Sequence, residues 1–466
     1  MVKVDKAQKN LIIEGLIRAQ EWDALVAVLK KMPVIEVVEI INNLEDNILI
    51  DVLKLFSLEE QGTIVSDFDR ELQMRLFEIM DRKSFSKIFT NMASDIRADF
   101  YQELNREHQL QILPFLDKKT REDVTQLSSY DPETAGGIMS TDFATLLENM
   151  TVQQAIEKIR KDAPSKKMIY YLYVADEQMK LKGYTTLKDL IMADPKTPVS
   201  EVLHTDYAYA YVDEDRENVA KKIEKYDLVA IPVINRLNQL AGIVRHDEAI
   251  DVIRAEQTED MEKFMGILPD TTIEEEISYI DTKPIKHFKK RVVWLASLSI
   301  LGLLTGMVIH RFEAAIESLV ILALYMPMVA DTGGNTGSQA ATVVIRAMAL
   351  GQIKVKQWLK ILFKEAKISV LLAGVIGLIT FGKVLLLSTL WNIQLPGDLT
   401  LAFIGIGISI ALSLQVISST LIGASLPLLV RRLGGDPAVV ASPAITTLVD
   451  VTGLLIYFSI ATLLFF

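Results

Sequence analysis

The sequence has no cysteine among its 466 residues and only five histidines. The absence of thiols excludes disulfides, thiolate nucleophiles and soft-metal sites, and it fits a protein half that stays in a reducing cytosol. A His-Glu-x-x-His zinc motif and a phosphate-binding P-loop are also missing. The five histidines are scattered along the chain, at His108, His204, His246, His287 and His310. These absences argue against an enzyme, and we predict no catalytic residues.

An excess of positive charge is missing as well, since 49 Lys and Arg stand against 60 Asp and Glu, for a net charge of −11. Nearly all of the acidic residues precede about residue 282. A surface of this kind argues against nucleic acid as a partner and favours divalent cations. The opening residues, MVKVDKAQKN, contain no apolar core of a secretory signal. We therefore expect an acidic half that remains in the cytosol.

A repeat of about 24 residues runs from Leu44 to Leu116. Its units are Asn47–Phe68, Glu71–Met92 and Asp95–Leu116, and their apolar positions coincide when the units are aligned. Two short amphipathic helices in each unit would bury a shared face by stacking on their neighbours. The pattern predicts an acidic helical-repeat N domain over residues 1–137, a small right-angled solenoid. A plain scaffold is the simplest role for such a domain.

Residues 138–257 repeat a different order of elements, which is strand, turn, strand and helix. The first copy contains YYLYVAD and GYTTLKDLI, and the second contains VAIPVIN and AGIVRHDEAIDVI. This α+β region resembles a tandem pair of cystathionine-β-synthase-type (CBS) modules. In nucleotide-binding members, the Thr and Asp of the run at Gly183–Asp189 hold a ribose, which implies ATP binding at Thr186 and Asp189. The second module departs from the pattern with Arg245 and Glu248, so a pair that senses another ligand remains an alternative.

A polar segment over residues 258–282 joins the CBS pair to the apolar part of the chain. Its pattern predicts an amphipathic connecting helix, or plug helix, that is interrupted at Pro269. A passive linker and a gating lever are both compatible with this segment.

The remaining residues, 283–466, are dominated by apolar side chains and predict a transmembrane domain. Apolar segments lie near 292–310, 316–345, 361–391, 399–430 and 438–465, which makes five spans. Cationic residues mark the second and fourth connections as cytosolic under the positive-inside rule, namely Lys354, Lys356, Lys360, Lys364, Arg431 and Arg432. An odd number of spans then places the C-terminus outside.

Two features within these apolar segments would be unfavourable in bare lipid. The stretch Pro327–Gln339, PMVADTGGNTGSQ, is rich in glycine and polar residues, and Asp450 lies inside an apolar helix. Irregular backbone and ionisable groups are tolerated at membrane depth where they face protein or a water-filled cavity, so the pair predicts a cation pathway. Glycines would expose backbone carbonyls there, beside the Asn335 side chain, although tight helix packing would also explain glycines. A five-helix bundle seldom encloses such a path alone, which favours a homodimer.

Over essentially the whole chain, these features resemble the MgtE family of magnesium channels. The resemblance is carried by the domain order and by three runs, which are Gly333-Gly334-Asn335-Thr336-Gly337, Arg431-Arg432-Leu433-Gly434 and Asp450-Val451-Thr452-Gly453-Leu454-Leu455. It implies a homodimer whose pore is lined by the second and fifth spans, with Asp450 as the pore magnesium ligand. Ser442 departs from the family pattern.

The same resemblance implies that intracellular Mg²⁺ closes the pore by binding between acidic groups of the cytosolic domains. Its regulatory metal ligands correspond here to Asp215, Glu217, Asp227, Asp251, Glu259 and Asp436, and more loosely to Glu60 and Asp95. Magnesium is then both the transported ion and the regulator, and ATP is a candidate cofactor of the CBS pair.

Two other functions are compatible with the same residues. A secondary transporter that exchanges a divalent cation for Na⁺ or H⁺ would use Asp450 as a shared site. A receptor would sense cations without passing them. Moving a doubly charged ion inward across 100 mV releases about 4.6 kcal/mol, so uptake through a channel needs no second ion.

Overall fold

A computed structural model describes residues 6–42, 44–162, 168–269, 280, 282–390, 399–440 and 442–466. The chain forms two compact units, Met1–Glu256 and Gln257–Phe466.

The first unit begins with short α-helices. They are α1 (Lys6–Ala19), α2 (Trp22–Leu29), α3 (Val34–Ile41), α4 (Asp46–Lys54), α5 (Leu58–Ser66), α6 (Arg70–Ile79), α7 (Arg82–Asn91), α8 (Ser94–Glu103), α9 (Arg106–Ile112) and α10 (Lys118–Leu127). The predicted repeat is confirmed, because α4 to α9 form three helix pairs. The coinciding positions Val52, Leu76 and Phe100 are all buried in one shared core.

Helix caps explain where most of these helices begin. The side chains of Ser57, Asp69, Asp81, Asn105 and Asp117 each accept a hydrogen bond from the backbone of the first turn that follows. These caps recur every twelve residues, so the unit of the repeat is one helix and its turn. Ala93 stands where the series requires a cap, and there the N–H of Ser94 donates to Asp142 Oδ2 at 2.8 Å. A residue beyond the repeat therefore completes the N-terminus of α8.

Two three-stranded sheets follow in the first unit. The first contains β1 (Phe143–Leu147), β2 (Met168–Ala175) and β3 (Leu181–Thr186), and the second contains β4 (Ala210–Tyr211), β5 (Ala230–Ile234) and β6 (Leu240–Arg245). Each sheet pairs its first strand parallel and its third strand antiparallel to the middle one. The helices are α11 (Val152–Asp162), α12 (Leu187–Met192), α13 (Arg216–Tyr226) and α14 (His246–Phe264). The predicted order of strand, turn, strand and helix is confirmed, whereas β1 and β4 were not predicted.

The helical repeats and the second sheet share a hydrophobic core. Ala98 of α8 and Leu127 of α10 pack in one cluster with Val219, Ile231 and Val244. Buried contact of this kind places the last repeat directly against the second CBS-like module.

The second unit consists mainly of long helices. They are α15 (Pro284–Arg311), α17 (Ile321–Ala349), α18 (Trp358–Leu390), α19 (Leu401–Arg432) and α20 (Ser442–Phe465), with the short α16 (Glu313–Ser318) between the first two. Among the described residues, four stretches are long and apolar enough to cross a membrane, namely Pro284–Arg311, Val355–Leu387, Leu401–Arg432 and Ser442–Phe465. Helix α17 is as long as these but carries the polar residues of the predicted pathway. Residues 391 and 441 of the predicted spans lie outside the described residues.

The structure describes part of the predicted connecting helix. Residues 258–264 are the C-terminal end of α14, which begins at His246 and ends at Phe264. Gly266 follows with a φ of +70°, a left-handed conformation that favours glycine and stops the helix five residues earlier than expected at Pro269. Residues 270–279 and 281 of the predicted segment lie outside the described residues.

Candidate functional site

The glycine-rich stretch 327–339 lies within α17, a continuous helix through Pro327 and the three glycines. The expectation of irregular backbone with exposed carbonyls was therefore wrong. The glycines serve close packing instead, because a Cβ on Gly333, Gly334 or Gly337 would press on side chains of α19 and α20. In lipid, where the hydrophobic effect does not drive helix association, small residues let helices approach closely and pack.

The closest approach joins α17 to α19. A Cβ on Gly423 would lie well under 3.0 Å from the backbone oxygen of Gly337, a distance that real Cβ atoms essentially never show. This neighbour is backbone, so no rotamer change could relieve the contact. This glycine pair fixes the position of the polar face of α17.

A buried amide lies between α17, α19 and α20. Gln415 of α19 is fully buried, and its Nε2 donates to the Val449 carbonyl of α20 at 2.9 Å. A Cβ on either Gly333 or Gly453 would collide with this amide. The two glycines thus make the room that Gln415 needs, and Gln415 bonds to the residue directly before Asp450. Gln415 was not among the predicted site residues, although it is a polar side chain within an apolar segment.

Asp450 is partly buried on α20, and its Oδ1 is a buried atom without a hydrogen-bond partner among the described residues. Asp331 of α17 lies close enough to interact with it electrostatically. The predicted pathway residue Asn335 is exposed, and its Nδ2 donates to Asp331 Oδ1 at 3.2 Å. Asp331 was not among the predicted site residues, although it is a carboxylate within the stretch that the sequence singled out. The structure thus places a second carboxylate, Asp331, beside Asn335 and within electrostatic reach of Asp450.

Hydroxyl groups join the same two helices nearer the start of α20. Ser442 Oγ donates to Ser338 Oγ at 2.9 Å, and Ser338 lies 3.5 Å from Thr446 Oγ1. Ser442, the departure from the family pattern, therefore contacts α17 through a short polar side chain.

Two predicted regulatory ligands, Glu259 and Asp436, are held by one lysine. Lys263 Nζ lies 2.7 Å from Glu259 Oε1 and 2.8 Å from Asp436 Oδ2. Partial burial lowers the pKa of Lys263, but its hydrogen bonds to Asp436 and Glu259 outweigh that effect and raise the pKa above its usual value. The structure therefore brings these two carboxylates together around an ammonium group.

The other predicted ligands have local partners. Asp215 caps α13 by accepting from the Asn218 N–H, Glu217 pairs with Lys221, and Asp251 lies 3.7 Å from Arg254. Asp227 ends α13 in a left-handed conformation, with a φ of 51°. Glu60 caps α5 together with Ser57 and pairs with Lys30 at 3.0 Å; the hydrogen bond from the Ser57 backbone is the main cause that lowers the pKa of Glu60. In the part of the chain that the structure describes, no three His, Asp or Glu side chains are grouped to hold a metal ion.

Asp95 lies in an acidic cluster at the contact between the repeats and the second sheet. Its side chain is 5% exposed and pairs with Arg245 at 3.1 Å, and Arg245 also pairs with Asp247. Burial, with further contributions from Asp95 and the other nearby carboxylates, raises the pKa of Glu248 to about 8. Of the two residues that distinguish the second module, Arg245 therefore binds to the helical repeats, and Glu248 lies near their carboxylates.

We expect this cluster to make the stability of the first unit depend on pH. Between about pH 5 and 8, folded Glu248 keeps a proton that the unfolded chain releases, so the free energy of unfolding falls as the pH rises. In Glu248→Gln this fall should be smaller, and the variant should be more stable than the parent at pH 8. Urea unfolding of the Met1–Glu256 unit at pH 5.5 and 8 measures both. If the free energy of unfolding falls equally with pH in the parent and in Glu248→Gln, the assignment is contradicted. Glu157→Gln, at an exposed position of α11, is the control.

The candidate nucleotide residues of the first module are bonded to each other. Thr186 caps α12, and its N–H and Oγ1 donate to Asp189 Oδ2 at 2.9 and 2.6 Å. His204 Nε2 lies 3.0 Å from the same oxygen, and its ring stacks on Tyr184. Partial burial raises the pKa of Asp189, but these hydrogen bonds outweigh it and hold the pKa below its usual value. Thr186 and Asp189 are thus brought together beside two aromatic rings.

Comparison with protein families matches three parts of the chain. The family described as "MgtE: Divalent cation transporter" matches residues 326–460, and the MgtE intracellular N domain matches residues 25–133. CBS domains match residues 135–196 and 199–255.

Individual proteins agree with these matches. The magnesium transporter MgtE of Thermus thermophilus is 38% identical over 374 residues, which cover 79% of this chain and 79% of that protein. The magnesium transporter MgtE of Bacillus subtilis is 31% identical over 410 residues, which cover 88% of this chain and 87% of that protein. A crystal structure described as the soluble part of a magnesium transporter covers 54% of this chain and 99% of its own, with 25% identity and a TM-score of 0.52. With its membrane-type helices, CBS pair and helical N domain, the chain belongs to the MgtE family.

Proposed function

We propose that this chain takes up Mg²⁺ across the cell membrane and that Asp450 binds the passing ion. The observation that carries the proposal is the buried Asp450 Oδ1, which has no hydrogen-bond partner among the described residues and lies in a helix apolar enough to cross a membrane. An ionisable residue in such a helix is a functional-site hypothesis by default. The names of the two relatives support magnesium as the ion.

The side chains near Asp450 suit a hydrated magnesium ion. Mg²⁺ gives up its water reluctantly and is commonly bound by one or two carboxylates that keep several of those waters. Asp331 and Asn335 on α17 add a carboxylate and an amide oxygen to the same region. In a homodimer, two copies of Asp450 would face one path near the symmetry axis.

The domain roles follow from this proposal. Residues 1–137, 138–257, 258–282 and 283–466 are then the N domain, the CBS pair, the connecting plug helix and a transmembrane domain with five spans. The acidic domains lie in the cytosol and the C-terminus lies outside.

We further propose that cytosolic Mg²⁺ closes the path. The acidic groups that support this regulation occur in two places, at Glu259 with Asp436 and at Asp95 with Asp247. In both places a basic side chain neutralises only part of the negative charge, so a divalent cation would bind favourably. Shifting a gate from 1:99 to 99:1 requires about 5.5 kcal/mol of differential binding, which several weak sites can share.

Recordings from the purified protein in lipid bilayers test the transport mechanism. With Mg²⁺ as the permeant cation, we expect unitary currents that disappear as cytosolic Mg²⁺ rises from micromolar to 10 mM. A channel requires no gradient of Na⁺ or H⁺. Uptake into liposomes that depends on such a gradient, without resolved currents, would instead establish the coupled transporter.

Nucleotide binding at the first CBS module is a second proposal, supported by the paired Thr186 and Asp189. We expect Asp189→Asn to weaken ATP binding at least about tenfold, because losing a charge-assisted hydrogen bond in a partly buried site costs roughly 1.5–3 kcal/mol. Calorimetric titration of the full chain measures the affinity, with Asp194→Asn as a control on a nearby exposed carboxylate. Equal affinities in Asp189→Asn and the parent would leave the module without this site.

A further inference from the structure

Lys263 occupies the position between two carboxylates that a regulatory cation would need. Its ammonium group is within 2.8 Å of both Glu259 and Asp436. Glu259 lies one helical turn before it on α14, while Asp436 lies far along the chain, just after α19. One side chain thus closes a contact between the end of α14 and the membrane-type helices.

A backbone hydrogen bond orients the Asp436 side chain for this contact. Its Oδ1 accepts a hydrogen bond from the Ala438 N–H at 2.9 Å, so that it caps the short 3₁₀ helix Pro437–Val439. Only Oδ2 faces Lys263. The side chains of Lys263, Glu259 and Asp436 are 24, 30 and 38% exposed, so their charges are partly shielded from water. Partial shielding makes the attraction of each carboxylate for a cation stronger than at a fully exposed surface.

The residue that follows Lys263 reaches the helices of the proposed pathway. Phe264 packs against an apolar cluster that contains Ala341 of α17 and Val449 of α20. Val449 directly precedes Asp450, and its carbonyl accepts from Gln415. A change in the contacts of Lys263 would therefore alter the packing of Phe264 against Val449, the residue before Asp450.

One positive charge does not neutralise two carboxylates. The three groups together carry a net charge of −1, and a divalent cation that replaced the ammonium group would neutralise both carboxylates. Such a cation must compete with a group that is attached to the chain and is present at a fixed local concentration. The strength of that competition depends on how strongly the Lys263 ammonium group binds the two carboxylates.

We propose that Lys263 is a tethered competitor of the regulatory divalent cation at Glu259 and Asp436 and sets the Mg²⁺ concentration at which the gate responds. The inference rests on the proposed closure by cytosolic Mg²⁺. It extends that proposal by naming the residue that tunes the response.

The test uses the full-length protein and the local readout of hydrogen exchange over residues 257–269, followed by mass spectrometry as Mg²⁺ is added. Lys263→Met keeps the aliphatic stem and removes the charge, and should move the midpoint of protection to a Mg²⁺ concentration about five- to tenfold lower, the range expected for losing one or two partly exposed ion pairs. Lys263→Arg should keep the midpoint near that of the parent. Lys290→Met is the matched control, because Lys290 of α15 also pairs, at 3.3 Å, with a glutamate of α14, Glu262.

The possible results distinguish the role of Lys263 from closure by cytosolic Mg²⁺. An unchanged or higher midpoint in Lys263→Met, beside a parent that responds to Mg²⁺, would overturn the role of Lys263 alone. A parent whose exchange does not respond to Mg²⁺ would overturn closure by the cation, and the role of Lys263 with it. Lys263→Arg distinguishes loss of charge from loss of folding, since it preserves the charge at the same place.

Discussion

Replacing Asp450 by Asn should abolish most Mg²⁺ conduction and reduce the preference for Mg²⁺ over Na⁺. The change removes the negative charge with almost no change in volume. Two unit charges 4 Å apart attract by about 4 kcal/mol at an effective dielectric constant of 20, and losing half of this would already cost more than tenfold in occupancy. Currents in bilayers at a fixed Mg²⁺ gradient, with Na⁺ added to measure selectivity, give the result.

The matched control for Asp450→Asn is Glu365→Gln. Glu365 is also a buried carboxyl group, 7% exposed, but it lies on α18. Conduction should persist in Glu365→Gln. Normal Mg²⁺ currents and selectivity in Asp450→Asn would overturn the assignment of Asp450 to the pathway.

Replacing Gly423 by Ala should strongly destabilise the helical unit and abolish uptake. The new methyl group would meet the Gly337 backbone oxygen, so α17 and α19 must separate. Overpacking typically costs about 1–3 kcal/mol, and a contact with backbone belongs at the upper end of that range because no rotamer relieves it. Separation would also move Asp331 and Asn335 on α17. The thermal transition of the protein in detergent and its Mg²⁺ uptake in liposomes measure both effects.

Gly374→Ala supplies the comparison for Gly423→Ala. Gly374 also lies in a long apolar helix, α18, but a Cβ there would have no neighbour within 4 Å among the described residues. Alanine in an open helical position should be neutral or slightly stabilising. If Gly423→Ala and Gly374→Ala have equal thermal stability and Mg²⁺ uptake, α17 and α19 can separate at Gly423 without loss of stability.

Much of the first unit could be predicted because its signals are local. The coinciding apolar positions of the repeat identify the helix pairs, and Val52, Leu76 and Phe100 are buried as that alignment requires. The strands β2, β3, β5 and β6 combine β-branched residues with clear turns. In contrast, β1 and β4 were not predicted, and β4 has only two residues. Such strands are stabilised by parallel pairing with a partner distant in the sequence.

The candidate site was only partly predictable. Asp450 could be identified because a carboxylate within an apolar run is conspicuous, and Asp331 could have been found by the same rule. The helical state of the glycine-rich stretch could not, since glycine is compatible with both irregular backbone and tight packing. Only the position of Gln415 and the approach of Gly337 to Gly423 distinguish the two.

By itself, the sequence determined the order of the parts, the helical repeat, the CBS pair, the apolar helices and the conspicuous carboxylates, because each depends on composition or short-range periodicity. Only the tertiary structure decided which charges meet. In the sequence, Lys263 is a cation on a polar helix, and the structure pairs it with Asp436. Arg245 is a departure from a motif in the sequence, and the structure pairs it with Asp95. These partners are separated by more than a hundred residues in the sequence, and electrostatic attraction depends on distance in space.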